Sequence, residues 1–140
     1  MSPINAIQDE IIEEFDFFDQ WMDKYEYIID LGKKLPGIDA QQKCDHNLIP
    51  GCQSRVWLHA EIENNRILFS ADSDAIITKG IIALLIRVLS SQSPLDISKA
   101  DLYFIDKIGL KEHLSPTRSN GLVSMVNKMK SIASAIHAGA

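Results

Sequence analysis

The chain has 140 residues, 46% of them hydrophobic and 24% charged, with a formal net charge of −5. That is the size and composition of one globular domain, large enough to fold without a metal or a disulfide, and two cysteines are too few for a secreted disulfide framework. Nine acids and one base fall within residues 1–30, against ten acids and thirteen bases in the remainder; there is no basic stripe of the kind a nucleic-acid binder carries.

Ile4, Ile7, Ile11, Phe15 and Phe18 recur at helical spacing and predict an amphipathic first helix. Its outer face is acidic, with like charges four apart at Asp9/Glu13 and Glu10/Glu14, so it depends on docking its apolar face. That acidic face reads as solvated, with steering of a basic partner as the alternative. A second helix is expected from about Asp19, as N-cap, to Leu35, with Met22, Tyr25, Ile28 and Ile29 inward and Pro36-Gly37 ending it. Residues 36–51 read as a long loop, a length often tied to function. Val56, Leu58, Ala60 and Ile62 alternate with Trp57, His59 and Glu61, Asn64-Asn65 signals a turn, and Ile67, Phe69 and Ala71 alternate again, which predicts an antiparallel hairpin. Asp72-Ser73-Asp74 is expected to cap a helix from about Ala75 to Leu89, apolar nearly all round and therefore central.

Beyond Ser93-Pro94 a short strand or helix is expected over Leu95 to Ala100, and a short helix at Leu102, Ile105 and Ile108 ending near Gly109. Ser115-Pro116 pairs a cap residue with a proline suited to the first helical position. Leu122, Met125, Val126, Met129, Ile132 and Ile136 then mark a last amphipathic helix, with its methionines at core spacing. The apolar run Ile81 to Ile86 is far too short to span a bilayer, and Met1-Ser2-Pro3 leads into an acidic helix pattern rather than a signal segment. The expectation is a cytoplasmic α+β domain over residues 1–140, a small antiparallel sheet with helices packed against it. In a reducing compartment a free thiol persists.

The stretch Gly51-Cys52-Gln53-Ser54-Arg55-Val56-Trp57 carries the chemistry. It sets a cysteine at the joint of loop and strand, after a glycine that permits a tight turn and close approach of a partner. Reactivity at neutral pH requires a thiolate and hence a nearby cation, helix N-terminus or hydrogen-bond donor. Arg55, His59, His113 and Arg118 are the candidates within this chain, and a docking partner is another source. A cysteine hydrolase needs a base at the sulfur and an orienting third group; His46, His59, His113 and His137 leave that open without a protease-type context. A metal or iron–sulfur site on Cys44, His46 and Cys52, with Asp45 beside them, has suitable ligand types. However, the Cys-x-His-x5-Cys spacing is not that of a standard closed site. His137 reads as a last-turn residue complementing the helix dipole.

The Cys52 motif resembles the sulfur-acceptor signature of the SufE family. The resemblance extends in order through Tyr25-Glu26-Tyr27-Ile28-Ile29-Asp30-Leu31-Gly32, Leu35-Pro36, Asn47, Ala71-Asp72-Ser73-Asp74-Ala75, Lys79-Gly80 and His113-Leu114-Ser115-Pro116-Thr117-Arg118-Ser119-Asn120-Gly121-Leu122. It runs from about Trp21 to the last helix. It implies a SufE/IscU-like fold and a carrier that takes persulfide sulfur on Cys52 from a SufS-type cysteine desulfurase and stimulates that enzyme. The carrier would then pass sulfur to a SufBCD-type scaffold for iron–sulfur cluster assembly. A CsdE-type carrier serving a different desulfurase fits the same residues. The resemblance further implies Gly51, Gln53 and Ser54 as contact residues, Asp72 and Asp74 near the desulfurase contact, and Arg118 as a pocket cation. It implies no cofactor on this chain, since pyridoxal phosphate belongs to the desulfurase, and no nucleic-acid or membrane partner. Cys44 lies outside the family pattern.

Overall fold

The computed structural model describes residues 3–52 and 54–139. Helix α1 (Pro3–Asp16) and helix α2 (Trp21–Lys33) lead into a loop with two short 3-10 turns, Ala40–Gln42 and Asp45–Asn47. Strands β1 (Val56–Glu63) and β2 (Arg66–Ser73) follow, then helices α3 (Ile76–Leu89), α4 (Pro94–Lys99), α5 (Phe104–Lys107), α6 (Leu110–His113) and α7 (Pro116–Gly139). This is the expected α+β arrangement. The strands form an antiparallel hairpin in which Leu58 faces Ala71, Ala60 faces Phe69 and Ile62 faces Ile67. Asn64 and Asn65 close it with φ of 52° and 63°, a conformation asparagine tolerates and hairpin turns favour.

Helix α3 is the central element. Ile77, Ile81, Ile82, Leu84, Leu85, Val88 and Leu89 are all buried along it, as its nearly uniform apolarity predicts. Helix α2 crosses α3 where Gly32 meets Gly80. A Cβ on Gly80 would stand 2.1 Å from the Ile28 carbonyl oxygen, and one on Gly32 would stand 2.6 Å from the Gly80 nitrogen. The two backbones therefore touch, which only glycine permits.

Helix α1 docks its apolar face through Ile4, Ile11 and Phe15. The fully buried Gln8 accepts from the Phe104 N–H (3.1 Å) and donates to the Asp101 carbonyl (3.0 Å). The acidic face is only partly solvated: Arg87 of α3 donates to Glu14 (2.8 Å) and Glu10 (2.9 Å), and Tyr27 of α2 donates to Glu14 (2.5 Å). The Arg87 hydrogen bond, set against some burial, holds the Glu14 carboxyl below its ordinary pKa, with Tyr27 adding to the effect.

Several boundaries differ from expectation. Asp19 does not cap α2; the cap position is Gln20, with no side-chain bond. Met22 points to solvent, since it lies off the stripe set by Ile28 and Gly32. β2 runs on through Ser73, so α3 begins at Ile76 and its cap position, Ala75, has no side-chain capping bond. The inward face of β1 is covered at Val56 and Leu58 but open at Ile62, near the hairpin tip. α4 resolves the strand-or-helix question as a helix capped by Ser93, whose Oγ accepts from the Asp96 N–H. Gly109, at φ 76°, stops the chain after α5 and lets one further turn, α6, form. No described helix is long and apolar enough to cross a membrane.

Gly80→Ala is expected to lower the unfolding free energy by about 3 kcal/mol, the upper part of the range for forcing extra volume into packed structure. Gly139→Ala, where nothing lies within 4 Å, leaves it unchanged. Urea titration of both variants checks this.

Candidate functional site

Cys52 lies between α3 and α7. Its sulfur donates to the Gly121 carbonyl at 3.7 Å, and a Cβ on Gly121 would come within 3.6 Å of it. A cavity of about 10 Å³ adjoins the thiol, lined by Ser54, Thr78, Ile81, Thr117, Arg118, Gly121 and Met125. This is room for about one water-sized atom. Arg118 stands at its exposed rim in the first turns of α7, with its N–H donating to Ser115 Oγ at 3.3 Å. The cap expected at Ser115 is therefore present, and it brings Arg118 and the α7 N-terminus to the cysteine. Burial pushes the Cys52 thiol up from its ordinary pKa.

Gly51 turns the chain into this position with φ 85°. A side chain there would be strained, and its Cβ would lie 2.7 Å from Ser124 Oγ of α7. Gln53, between Cys52 and Ser54, lies outside the described residues.

The Asp72-Ser73-Asp74 segment, expected as a helix cap, instead clamps the cysteine loop on both sides. After Cys52, the Arg55 backbone is held three ways. Its N–H donates to Asp74 Oδ1 (3.0 Å), and its carbonyl accepts from Ser73 Oγ (2.8 Å) and from the Asp74 N–H (3.2 Å). Before Cys52, Lys43 Nζ lies 3.0 Å from Asp72 Oδ2, while Lys79 Nζ of α3 lies 3.2 Å from Oδ1. Asp72 is only 8% exposed. Burial alone would raise its pKa, but hydrogen bonds from Lys43, the Ser73 N–H and Lys79 outweigh burial and hold the carboxyl below its usual range. A carboxyl held low contributes stability above its unfolded pKa and loses it as the pH falls through the folded one.

The loop of residues 36–52 is well tied. Lys43 Nζ also lies 5.6 Å from the Trp57 ring centroid. Asn47 donates to the Gln42 carbonyl (2.8 Å) and to its side-chain oxygen (3.0 Å). Leu48 bridges to Trp57 and the Ile49 N–H donates to the Val56 carbonyl (2.9 Å). Ile49 is buried with the core, and the cavity walls beside Cys52 come from α3 and α7.

The other candidates lie apart. His113 stacks on Trp21, with ring centroids 4.2 Å apart, and its Nδ1 is 2.9 Å from the Gly109 carbonyl. His59 Nε2 is 3.3 Å from Glu61 Oε1. Cys44, His46 and His137 are exposed, and among the described residues no group of three or more His, Cys, Asp or Glu side chains is placed to hold a metal ion. Cys44, His46 and Cys52 are thus not brought together as a ligand set. Lys43 and Lys79 were missed as site residues; nothing in the local sequence marks a lysine whose partner lies on another element.

Residues 9–133 match the family model described as SufE: Fe-S metabolism associated domain. An uncharacterised SufE-like protein of Rhizobium meliloti (strain 1021) is 42% identical over 130 residues, covering 89% of this chain and 93% of that one. A second, from Rhizobium etli, is 41% identical over 130 residues, covering 89% and 88%. The solution structure of a hypothetical protein from Thermus thermophilus superposes with a TM-score of 0.74 over 91% of this chain and 93% of that chain. At 19% identity this is a likeness of fold.

The raised Cys52 pKa has a measurable sign. The folded state holds the thiol proton more tightly, so the contribution to stability is full below the unfolded pKa and is lost as pH rises through the folded one. In Cys44→Ser protein, the pH profile of Cys52 alkylation is expected to lie at higher pH than the same profile in concentrated urea. Coincident profiles would contradict the burial effect.

Proposed function

The chain belongs to the SufE family, and from that premise we propose that Cys52 is the sulfur acceptor from the persulfide of a SufS-type cysteine desulfurase. The Cys52 thiolate attacks the outer sulfur of the donor's Cys–S–SH group. The donor S–S bond breaks, its thiolate leaves and takes up a proton, and a new persulfide forms on Cys52. The step is an exchange with no net oxidation. A second exchange of the same kind hands the sulfur on to a SufBCD-type scaffold. Desulfurase turnover rises because its persulfide is cleared. Pyridoxal phosphate supplies the desulfurase's own chemistry and is needed by no step on Cys52. The reducing cytoplasm is the compartment that suits a free acceptor thiol.

The observation that carries this reading is the position of Cys52 at a tight turn, with its sulfur in a one-atom cavity between two helices. Gly51 and Ser54 flank the acceptor, and by sequence Gln53 belongs to the same proposed contact segment. Arg118 and the positive end of α7 favour the anionic thiolate and persulfide once the group is ionised. Asp74 and Asp72 hold the loop in its closed position before docking. In the isolated chain the thiol is half-buried and burial raises its pKa, so docking exposes it further. A desulfurase that binds the exposed form better shifts the population towards it.

Intact mass spectrometry after incubation with a desulfurase and cysteine is expected to show the gain of one sulfur atom on the parent and on Cys44→Ser. Cys52→Ser, nearly isosteric, stays folded, gains none and no longer stimulates turnover. Full stimulation by folded Cys52→Ser would sink the acceptor role. A large loss in Cys44→Ser would make Cys44 a relay thiol.

A further inference from the structure

Lys43 stands nine positions before Cys52 in the loop, and its ammonium meets a carboxylate that belongs to the hairpin. Asp72 is the cross-strand partner of Trp57, so the Lys43 ammonium sits beside two residues paired in the sheet. Behind the carboxylate, Lys79 fixes it to α3. Gly37, at φ 79°, lies so close that a Cβ there would be 3.0 Å from Asp72 Oδ2. The start and the middle of the loop thus converge on one oxygen. The two lysines differ in cover: the Lys43 side chain is 38% exposed and the Lys79 side chain 29%. Lys79 projects from a buried helix, whereas Lys43 projects from a loop. Of the two ion pairs, the one to Lys43 is therefore the more accessible to water and salt.

We propose that Asp72 is a positioning residue for Cys52: through Lys43 it latches the loop of residues 36–52 shut, and release of this ion pair is the first step in freeing the thiol from between α3 and α7. The latch deepens the acceptor reading above and rests on it for its purpose. The segment after Cys52 stays tied through the Arg55 backbone, and Leu48 and Ile49 hold the chain between Lys43 and Cys52 to β1, so opening starts at Lys43 and reaches the thiol as these two residues lift from β1. A cationic side chain on a docking partner would compete for Asp72 Oδ2 and free Lys43.

The test uses the isolated Cys44→Ser protein, so that one thiol reports. Cys52 alkylation by iodoacetamide is followed in that parent, in Asp72→Asn and in Lys43→Met. Asp72→Asn keeps the shape and an acceptor for the Ser73 N–H, and Lys43→Met keeps most of the stem over Trp57. Alkylation of a guarded thiol tracks the local opening equilibrium, and loss of a partly buried ion pair is expected to speed it about tenfold. Both variants should react faster by that factor. About 1 M sodium chloride should speed the parent several-fold but leave both variants unchanged, because the Lys43–Asp72 pair that closes the loop is gone from each. Urea unfolding shows which variants are folded, and Lys43→Met, changed only in the loop, stands as the deciding variant if Asp72→Asn is not. A parental alkylation rate in folded Lys43→Met overturns the latch. So does acceleration in Asp72→Asn alone, which would mark a general loss of stability. No desulfurase is present, so failure here leaves the acceptor reading standing. Loss of sulfur acceptance would in turn leave the latch standing.

Discussion

The contact between Gly32 and Gly80 is the constraint from which the rest follows. Ridges of ordinary side chains keep packed helices some 8–10 Å apart. Here a Cβ on Gly80 would fall 2.1 Å from a backbone oxygen of α2, so the two helices lie backbone to backbone. That contact fixes the N-terminal half of α3, and the neighbouring residues serve the site: Thr78 and Ile81 line the cavity beside Cys52, and Lys79 holds Asp72. A helix held this rigidly gives the cysteine a fixed wall and the carboxylate a fixed anchor.

On that frame the hairpin end works as a hub. Three consecutive residues, Asp72, Ser73 and Asp74, hold the chain on both sides of Cys52: Lys43 ahead of it and Arg55 behind it. The ionic contact at Lys43 is partly exposed and screened by salt, whereas Arg55 behind the cysteine and Ile49 ahead of it are held by backbone hydrogen bonds.

The thiol faces two opposed demands. Burial raises its pKa and so disfavours the thiolate, whereas thiol exchange needs the thiolate. On the proposed function, both are met if the thiolate forms once docking has opened the site. Arg118 and the α7 N-terminus already stand at the rim of the cavity, close to where an anionic sulfur would emerge.

Periodicity alone identified the hairpin, the buried α3 and the amphipathic α1 and α7, because each buries a face whose repeat is written in consecutive residues. The motif around Cys52 marked the candidate site for a similar reason: glycine, cysteine and strand are contiguous. The acids Asp72 and Asp74 were visible as residues but misread as a helix cap, since a cap and a clamp look alike until β2 is seen to run through Ser73. Lys43, Lys79, Thr78 and Gly121 were not legible as site residues, nor was the separation of His113 from the cysteine. Their positions depend on how α2, α3 and α7 cross, and a crossing is set by packing between elements far apart in the chain. Local pattern decides which elements form and which face they bury; only packing decides which side chains meet the sulfur.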